Sequence, residues 1–592
     1  MMSTLEKVAC GVLCVGVLVS PLSAPSAQDK KIPKPKPIAP SKSADKDSLD
    51  QQTRLEIPEV LILGEDISVR LPGSKRVERV SDSILPIEQR ANRRLESQPV
   101  SAATDKFPGR QTASLDHSSQ VEARYGSYNT LSLFGKHWRQ LERLSLDLEG
   151  SFDKSDGQFN NSQFENWRIG FAGSYDLNQR HRLNAGARFS SYDYGLWGSP
   201  FEHKRDWSQL EIFAGLSGWL NPMSRYEFRF SQSNSPREGQ IDSVAGVDTI
   251  PSFREKNRDI ALKFMQTRGA WEFSLGGNIL LNRYETAPET NPLLFPLNRN
   301  TNSLSDIFLG IGKQLGQNGS VNLGVRYQFY DLDELNQDDG RFQPSFEFNW
   351  SASPYVRFAG FYKSLFRLTT RQQLLAINPA ANLAIPHSPI EDVNVSVGLG
   401  LEWRPNSLSS FNLSYNYQKI DNLQIWQIGE VVGSGVDAPE NYLFRVGAMP
   451  RAHLSFLTLV FTAGNLKPYR FRSTLILSGS AIDEFGNSIS PEPLEQDIPY
   501  LEDVRLPLEF EYLLLPNLTA TISGQYLSTR VFELSQPQLG KSYVRLNAKL
   551  SYKKNLFVFY LLGTNLLDQK YEIWQRYRET GIQVFAGSKV SF

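Results

Sequence analysis

The sequence predicts an all-β fold: a closed antiparallel barrel of 22 transmembrane strands with a short N-terminal segment outside it. First, apolar and polar residues alternate in runs of about ten, and a β-strand turns successive side chains to opposite faces. Second, tight turns and long polar connections follow one another along the chain, as they do in membrane barrels. Third, aromatic residues make up 11% of the 592 residues, which favours strands over helices.

The composition excludes several functions. The 63 Lys and Arg residues balance the 63 Asp and Glu residues, so nothing indicates a nucleic-acid partner. The six histidines are scattered without the spacing of a metal site, and we expect no metal and no cofactor. The residues Gly540, Lys541 and Ser542 end like a phosphate loop, but Ser535 replaces its first glycine. With no nucleophile elbow either, we expect no catalytic residues and no enzyme.

The N-terminal part predicts export. Residues 1–27 read as a signal peptide, because Lys7 precedes an apolar run at 8–19 that is too short to span a bilayer. Both cysteines lie in this segment, so the mature chain has no disulfide framework. Residues 28–56, rich in Pro and Lys, predict a disordered periplasmic linker. Residues 57–116 form a short further segment before the barrel.

The barrel strands are predicted from the alternation that begins at residue 118. In one such run, apolar and polar side chains alternate through Val321, Asn322, Leu323, Gly324, Val325, Arg326, Tyr327, Gln328 and Phe329. Runs of this length match the nine to eleven or so residues of a tilted membrane strand and exceed the usual five or six of a globular strand. Because every backbone N–H and C=O must be paired in hydrocarbon, such strands have to close into a barrel.

The connections give the strand count and the orientation. Short turns are predicted at residues 178–180, 221–224, 269–270, 316–319, 351–354, 405–407, 464–468, 516–517 and 554–555. Long polar loops are predicted between them, for example at 235–256, 284–301, 367–391 and 483–502. Counting the strands between these connections gives 22 over residues 118–592. An even number places both barrel ends on the periplasmic side with the short turns.

The ten tryptophans predict two girdles at the membrane interfaces. Five lie beside short turns: Trp138, Trp219, Trp271, Trp350 and Trp403. Five lie at or near long loops: Trp167, Trp197, Trp207, Trp426 and Trp574. A soluble β-sandwich explains neither this division nor the strand length.

Three stretches resemble TonB-dependent outer-membrane receptors. Residues 565–577, NLLDQKYEIWQRY, together with the last strand, resemble the C-terminal end of these proteins, with Asn565, Leu566, Asp568 and Tyr571 as the matching positions. Residues 122–130, EARYGSYNT, look like the opening hairpin of their barrels, and residues 361–386 are similar to a loop before a late strand. With the strand count, the resemblance covers about four-fifths of the chain.

The resemblance implies roles for both ends of the chain. The terminal Phe592, with Val590, would be the signal read by the barrel assembly machinery. The stretch 58–66, PEVLILGED, is similar to the box that receptors offer to TonB, which would consist of Glu59, Val60, Leu61, Ile62, Leu63 and Gly64. Members of the family also carry a plug with "LVDG" and "ALYG" turns. Neither string occurs here, so the plug is expected to be either reduced, and then formed by residues 57–116, or missing.

Two functions follow as hypotheses. The first is a barrel in the outer membrane of a Gram-negative-type bacterium for uptake or passage of a solute, with outer-membrane lipid around it. TonB is the partner expected if uptake is energised. The alternative is a barrel that does not transport, a scaffold or anchor whose lumen or rim holds a partner protein. The reduced or missing plug makes this distinction necessary, because barrels of this size normally have a filled lumen.

Overall fold

The computed structural model describes residues 117–592, with gaps at 160–161, 196–203, 238–239, 243–246, 251–252, 287–298, 317, 334–336, 372, 375–388, 407, 433–440, 465–467, 485–496, 533–538, 576 and 579. The predicted signal peptide at 1–27, the linker at 28–56 and the segment at 57–116 lie outside the described residues. So do the six positions of the TonB-box-like stretch. In the part of the chain that is described, no helix has the length and apolar character to cross a membrane.

The described residues form 28 strands. In chain order these are β1 (His117–Gly126), β2 (Thr130–Gln140), β3 (Leu144–Ser155), β4 (Phe164–Asp176), β5 (His181–Gly195), β6 (Lys204–Asn221), β7 (Ser224–Arg237), β8 (Gln240–Asp242), β9 (Val247–Ile250), β10 (Phe253–Arg268), β11 (Trp271–Thr286), β12 (Arg299–Leu315), β13 (Gly319–Leu332), β14 (Gln337–Ser353), β15 (Val356–Leu368), β16 (Ile390–Asn406), β17 (Ser409–Val432), β18 (Asn441–Gly464), β19 (Tyr469–Glu484), β20 (Val504–Leu515), β21 (Leu518–Leu527), β22 (Arg530–Val531), β23 (Leu539–Gly540), β24 (Tyr543–Lys554), β25 (Phe557–Thr564), β26 (Glu572–Trp574), β27 (Tyr577–Arg578) and β28 (Gln583–Ser591). Six short strands pair outside the barrel as β8–β9, β22–β23 and β26–β27. The other 22 form one antiparallel sheet, which confirms the predicted number.

The sheet closes because the first strand pairs with the last. The β1–β28 register runs from Gln120 opposite Ser591 to Gly126 opposite Phe585. Below it, the backbone N–H of Ser119 donates to the carbonyl of Phe592 at 2.7 Å. Closure leaves no open sheet edge at this seam, as the membrane requires.

The placement of Phe592 gives a test of its predicted role in assembly. Its backbone pairs with Ser119, whereas its side chain is exposed and contributes little to the core. We therefore expect Phe592→Asp to lower the yield of inserted barrel while leaving export intact, and Phe592→Trp to restore the yield. The measurement is the heat-modifiable gel mobility of a folded barrel in outer-membrane fractions. Equal yields for all three proteins would show that the terminal aromatic has no part in assembly.

The connections alternate in length, as predicted. On one side, strands are joined by two to four residues, including an unpredicted turn at 141–143. On the other side most loops are long, but the first is only a three-residue 3-10 turn at Ser127–Asn129. The long loops are shorter than predicted; the one expected at 235–256, for example, begins after Arg237. The polar residues at the strand ends remain paired above the membrane, although their polarity alone had indicated that they belong to loops.

An apolar belt surrounds the barrel. On β11 the exposed large side chains are Trp271, Phe273, Leu275 and Ile279, and on β13 they are Leu323, Val325, Tyr327 and Phe329. Above this belt the same face of β11 carries the ion pair between Arg283 and Glu285. The alternate residues face the lumen, where Arg326 lies 3.8 Å from Asp306. The outer face is therefore apolar only over the height of a membrane, as in outer-membrane barrels.

The tryptophan girdles are only partly as predicted. Trp271, Trp350 and Trp403 are exposed on the outer face beside short turns. Trp138, however, shares the inner face with Asp147 and donates to the hydroxyl of Ser145 at 3.0 Å. Trp207 and Trp574 near the long loops are 3% and 6% exposed and pack in aromatic clusters. For Trp138, Trp207 and Trp574 the girdle prediction is wrong. At the loop end the strands extend beyond lipid, so these two tryptophans pack with other aromatic side chains.

Candidate functional site

The candidate site is the loop end of the barrel lumen, where one hairpin turns inward from the wall. The pairing of β14 with β15 ends at Ser345 opposite Lys363. The pairing of β15 with β16 shifts register after Lys363 and then continues from Leu365 opposite Val393 to Leu368 opposite Ile390. Strand β14 itself runs on, paired with β13. Residues 365–371 and 389–393, here called the inward hairpin, have therefore left β14, while Asp392 and Val393 stay paired with Asp421 and Ile420 of β17.

Burial shows that the inward hairpin lies between other elements. All seven residues from 365 to 371 are buried, whereas a wall strand of a barrel buries only alternate residues. The same holds for Pro389, Ile390 and Glu391 at the start of β16. Both faces of the hairpin are thus covered. The apolar residues that cover it come mostly from the inner face of the barrel wall.

The wall opposite the inward hairpin is formed by β11, β12 and β13. Their inner faces contribute Leu280, Leu304 and Leu332, which form one buried cluster with Phe366, Leu368 and Ile390. The Phe366 ring also meets Tyr330 edge-on at 4.9 Å between centroids. Its backbone N–H donates to Oε1 of Gln328, two strands away, at 2.7 Å. The lumen-facing wall and the hairpin therefore share a common core.

A second set of contacts lies at the far end of the inward hairpin. The backbone N–H of Arg371 donates to Oε1 of Glu255 on β10 at 3.0 Å. The guanidinium of Arg371 lies 3.9 Å from the ring centroid of Tyr284 on β11. Leu374 completes a cluster with Phe253, Tyr284 and Val446, and Val446 comes from β18 on another part of the wall. The segment after Thr370 therefore bridges strands that are not neighbours in the sheet.

Inside the hairpin, a buried ion pair joins its two strands. Nη1 of Arg367 lies 2.9 Å from Oε2 of Glu391, and the two side chains are 6% and 5% exposed. The other carboxylate oxygen of Glu391 accepts the backbone N–H of Gln424 on β17 at 3.0 Å. Nε and Nη2 of Arg367 have no hydrogen-bond partner. A buried ion pair of this kind is costly to break, because the remaining charge cannot be hydrated.

A polar network continues around the rim from the inward hairpin. Arg341 contacts Asp392 and donates to Asn394 at 3.0 Å. Asn394 donates to Asp421 at 2.8 Å, and Asp421 accepts from Arg451 at 3.2 Å. Four strands from β14 to β18 are thus joined through side chains at this level. Such charge-assisted hydrogen bonds fix the height at which the hairpin leaves the wall.

The later loops also pack inward. Ile498 of the loop before β20 lies in a buried apolar cluster with twelve members, most of them inner-face residues of β17, β18 and β19. Tyr500 belongs to an aromatic cluster with Phe444, Tyr571 and Trp574. Close by, Glu502 and Arg505 approach to 3.7 Å. Burial raises the pKa of Glu502, while Arg505 and Arg530 offset part of the rise.

The residues of the C-terminal motif support the last loop. Asn565 is buried, and its Nδ2 donates to the carbonyls of Gln569 and Thr580 at 3.1 and 2.9 Å. Asp568 accepts the backbone N–H of Ile582. Tyr571 stacks on Tyr543 with 3.7 Å between ring centroids, whereas Leu566 is exposed. Three of the four motif positions therefore make contacts that hold the loop before β28.

Sequence reasoning missed the inward hairpin. The residues that hold it are Glu255, Arg367, Arg371 and Glu391, none of which forms a motif. One signal was present, because Leu365-Phe366-Arg367-Leu368 breaks the apolar–polar alternation. Such a run indicates a segment covered on both faces. For metal binding, the described residues contain no group of His, Cys, Asp or Glu side chains that could hold an ion.

Comparison with known proteins finds similar structures but no similar sequences among protein families or curated proteins. No protein-family model and no curated protein matches the sequence. Among solved structures, the iron transporter FrpB from Neisseria meningitidis is 11% identical, with a TM-score of 0.63 over 81% of this chain and 82% of that chain. The siderophore receptor PirA from Acinetobacter baumannii is 12% identical, with a TM-score of 0.61 over 81% of this chain and 80% of that one. The copper transporter OprC is 8% identical, with a TM-score of 0.62 over 80% of both chains.

These likenesses confirm the predicted fold class. The barrel has the 22-stranded architecture of TonB-dependent outer-membrane receptors. The apolar belt and the closed sheet place the chain in the outer membrane, surrounded by lipid. The similar proteins are named as transporters and a receptor, and at such low identity the likeness concerns the fold.

Proposed function

We propose that this chain takes up a solute across the outer membrane through the lumen of its barrel. The observation that carries the proposal is the closed 22-stranded barrel, which shares its fold with two named transporters and a siderophore receptor. By analogy with these three proteins, a metal ion or a metal chelate is the first class of solute to try. The proposal assigns the chain no enzymatic step.

The inner face supports passage of a polar solute. Its charged groups occur in pairs across neighbouring strands, such as Lys136 with Asp147 at 3.3 Å and Arg470 with Glu511 at 2.6 Å. Paired charges keep a lumen hydrated without creating a strong field of one sign. A polar solute therefore meets hydrogen-bonding groups along these parts of the wall.

The proposal includes energy coupling through the N-terminal part. Residues 59–64 would pair as a strand with TonB. Residues 57–116, which follow the linker at 28–56, would act as a reduced plug. Strand addition of this kind depends on backbone donors and acceptors. Proline removes one donor and fixes φ, so it prevents pairing without needing any change in the barrel.

The test compares two leucine-to-proline variants of the full chain. Leu61→Pro is expected to abolish uptake and binding of the purified C-terminal domain of TonB, whereas Leu49→Pro in the linker should leave both unchanged. Uptake is followed as growth on limiting iron, iron–siderophore or copper, against a strain that lacks the gene. Binding is followed by site-specific cross-linking.

Two outcomes would contradict the proposal in different ways. Normal uptake by Leu61→Pro would remove the energy-coupling step and leave a passive path. No uptake phenotype in the deletion strain, together with a stoichiometric protein that copurifies with the barrel, would favour the scaffold instead. Recognition of Phe592 by the barrel assembly machinery is tested separately, by the assembly experiment described under the fold.

A further inference from the structure

We propose that the outer face of β10 and β11, directly above the apolar belt on the loop side, is a docking surface for the phosphate groups of an outer-leaflet glycolipid. Arg254, Lys256 and Arg258 of β10 and Arg283 of β11 form this surface, here called the basic patch. The proposal concerns the lipid around the barrel and does not depend on the proposed uptake. Three observations carry it: the charge of the patch, its height, and its contrast with the neighbouring parts of the rim.

The basic patch concentrates positive charge on one face of the sheet. Successive side chains of a strand alternate between two faces, so Arg254, Lys256 and Arg258 share the outer face of β10. In the pairing of β10 with β11, Lys256 lies directly opposite Arg283. Like charges in this arrangement destabilise a sheet. An anion bound between the two side chains would remove the repulsion.

The barrel itself neutralises little of this charge. Arg283 contacts Glu285 on its own strand. Nε of Arg258 donates to Oε1 of Gln232 on β7 at 3.1 Å, and Gln232 is uncharged. Among the described residues, the side chains of Arg254 and Lys256 make neither a hydrogen bond nor an ion pair. The patch therefore keeps donors and positive charge for a group from outside the chain.

The height of the basic patch matches the headgroups of the membrane. On the same face of β10, Ile260 and Leu262 are 36% and 56% exposed and belong to the apolar belt. Arg258 precedes Ile260 by two residues, which is about 7 Å along a strand. A glycolipid can therefore place its acyl chains against the belt and its phosphates on the patch. A free phosphate ion would gain the charge interaction alone.

The neighbouring parts of the rim carry the opposite charge. On one side, the exposed Asp193 of β5 lies opposite the exposed Asp206 of β6 on the outer face. On the other side, the exposed Asp331 of β13 lies opposite the exposed Asp338 of β14. Both acidic pairs repel a phosphate group, whereas arginine and lysine bind it through charge-assisted hydrogen bonds. The basic patch is therefore the position that a phosphate takes on this part of the rim.

The basic patch lies directly behind residues that hold the inward hairpin. Lys256 follows Glu255 in the chain, and Arg283 precedes Tyr284. Glu255 and Tyr284 face the lumen, where both contact Arg371. A phosphate that joins Lys256 to Arg283 on the outside also links the two strand ends that carry the inner contacts. Lipid binding should therefore stabilise the loop-side ends of β10 and β11.

The test measures lipid binding to the purified full chain in an uncharged detergent. Lipid A with two phosphates is titrated in, and native mass spectrometry gives the fraction of the barrel that retains it. Phosphatidylcholine, lipid A without phosphates and inorganic phosphate are the comparison probes. We expect the parent to retain lipid A with two phosphates in preference to both other lipids, and we expect inorganic phosphate not to displace it.

Two variants remove charge from the basic patch. Lys256→Gln is expected to lower the affinity for lipid A about five-fold, and Lys256→Gln/Arg283→Gln about 30-fold, from the contribution of each basic residue near an anionic surface. The matched control is Lys154→Gln on the outer face of β3. Lys154 lies on the same side of the barrel but already pairs with Glu165 at 3.3 Å, so the affinity should stay that of the parent. Heat-modifiable gel mobility shows whether each variant folds, and the single variant carries the test if the double variant does not.

Hydrogen exchange gives a second measurement on the same proteins. In the parent, lipid A should slow the exchange of the backbone amides of residues 253–258 and 281–286, because the bound phosphate joins the two strand ends. The double variant should show no such slowing. Amides of β4, which lies away from the patch, should exchange equally with and without lipid A.

Four results would overturn the proposal. Equal retention of lipid A by the parent and the double variant would show that the basic patch is not the docking surface. An equal loss of affinity in Lys154→Gln would show that net charge alone matters. Displacement of lipid A by inorganic phosphate would make the patch a site for a free anion. A dimer of the chain that forms without lipid A and is lost in the double variant would assign the surface to a second copy.

Discussion

Arg367→Ala is expected to loosen the inward hairpin by about 3–5 kcal/mol, the range observed when one partner of a buried ion pair is removed. The variant removes the guanidinium that pairs with the buried Glu391 carboxylate. The carboxylate then keeps the hydrogen bond that the backbone N–H of Gln424 donates to it. A charge in this position can regain hydration only if the hairpin opens. We therefore expect the backbone amides of residues 365–371 to exchange with solvent far faster than in the parent.

The measurement is hydrogen exchange followed by mass spectrometry, which reports local opening free energies. The double variant Arg367→Met/Glu391→Leu is the control, because replacing both charges with apolar groups of similar volume is often neutral or stabilising. Amides of β4, away from the hairpin, should exchange equally in all three proteins. If Arg367→Ala protected residues 365–371 as well as the parent does, the ion pair would not hold the hairpin.

Leu323→Arg is expected to destabilise the barrel by about 2–4 kcal/mol, the cost of a cation on the lipid face near the bilayer midplane. Leu323 is 54% exposed on the outer face of β13, in register with the apolar Ile311 and Phe346 of its neighbours. Lipid therefore surrounds this side chain in the membrane. An arginine there has to reach an interface or draw water into the bilayer.

The matched control is Asn322→Arg, one residue away on the same strand and on the lumen side. We expect it to change the free energy of unfolding by less than about 1 kcal/mol, since the new charge meets water. Both variants are measured by equilibrium denaturant unfolding of the barrel in lipid vesicles. Equal destabilisation by the two substitutions would contradict the assignment of the faces and with it the lipid belt.

Much of the barrel could be predicted from sequence because its signals are local. The side-chain period of a strand is two, so the run from Val321 to Phe329 shows its faces without knowledge of any neighbour. Turn residues such as Gly269 and Gly316, both with positive φ, mark their connections just as locally. Strand number and orientation follow from these signals. The ends of strands, such as Arg237, could not be predicted in this way. Polar residues above the lipid look like loop residues in the sequence but remain paired in the sheet.

The candidate site lay beyond such reasoning because its contacts are not local. Arg371 and Glu255 are 116 positions apart, and nothing in either stretch refers to the other. The break in alternation at Leu365 to Leu368 indicates burial on both faces but not what covers them. The same limit explains Trp574, whose place beside Tyr500 depends on where two separate loops meet.

The sequence by itself determined a closed membrane barrel of 22 strands, because alternation, turn chemistry and backbone pairing in lipid leave the chain few alternatives. Only the tertiary structure decided that β15 and the first residues of β16 turn away from β14 above Lys363 and fill part of the lumen. That departure depends on a wall of Leu280, Leu304 and Leu332 meeting Phe366 and Leu368 in three dimensions. The hydrophobic effect is non-directional. Which apolar surfaces become buried together therefore depends on the faces that the closed barrel brings into contact, and not on any one stretch of sequence.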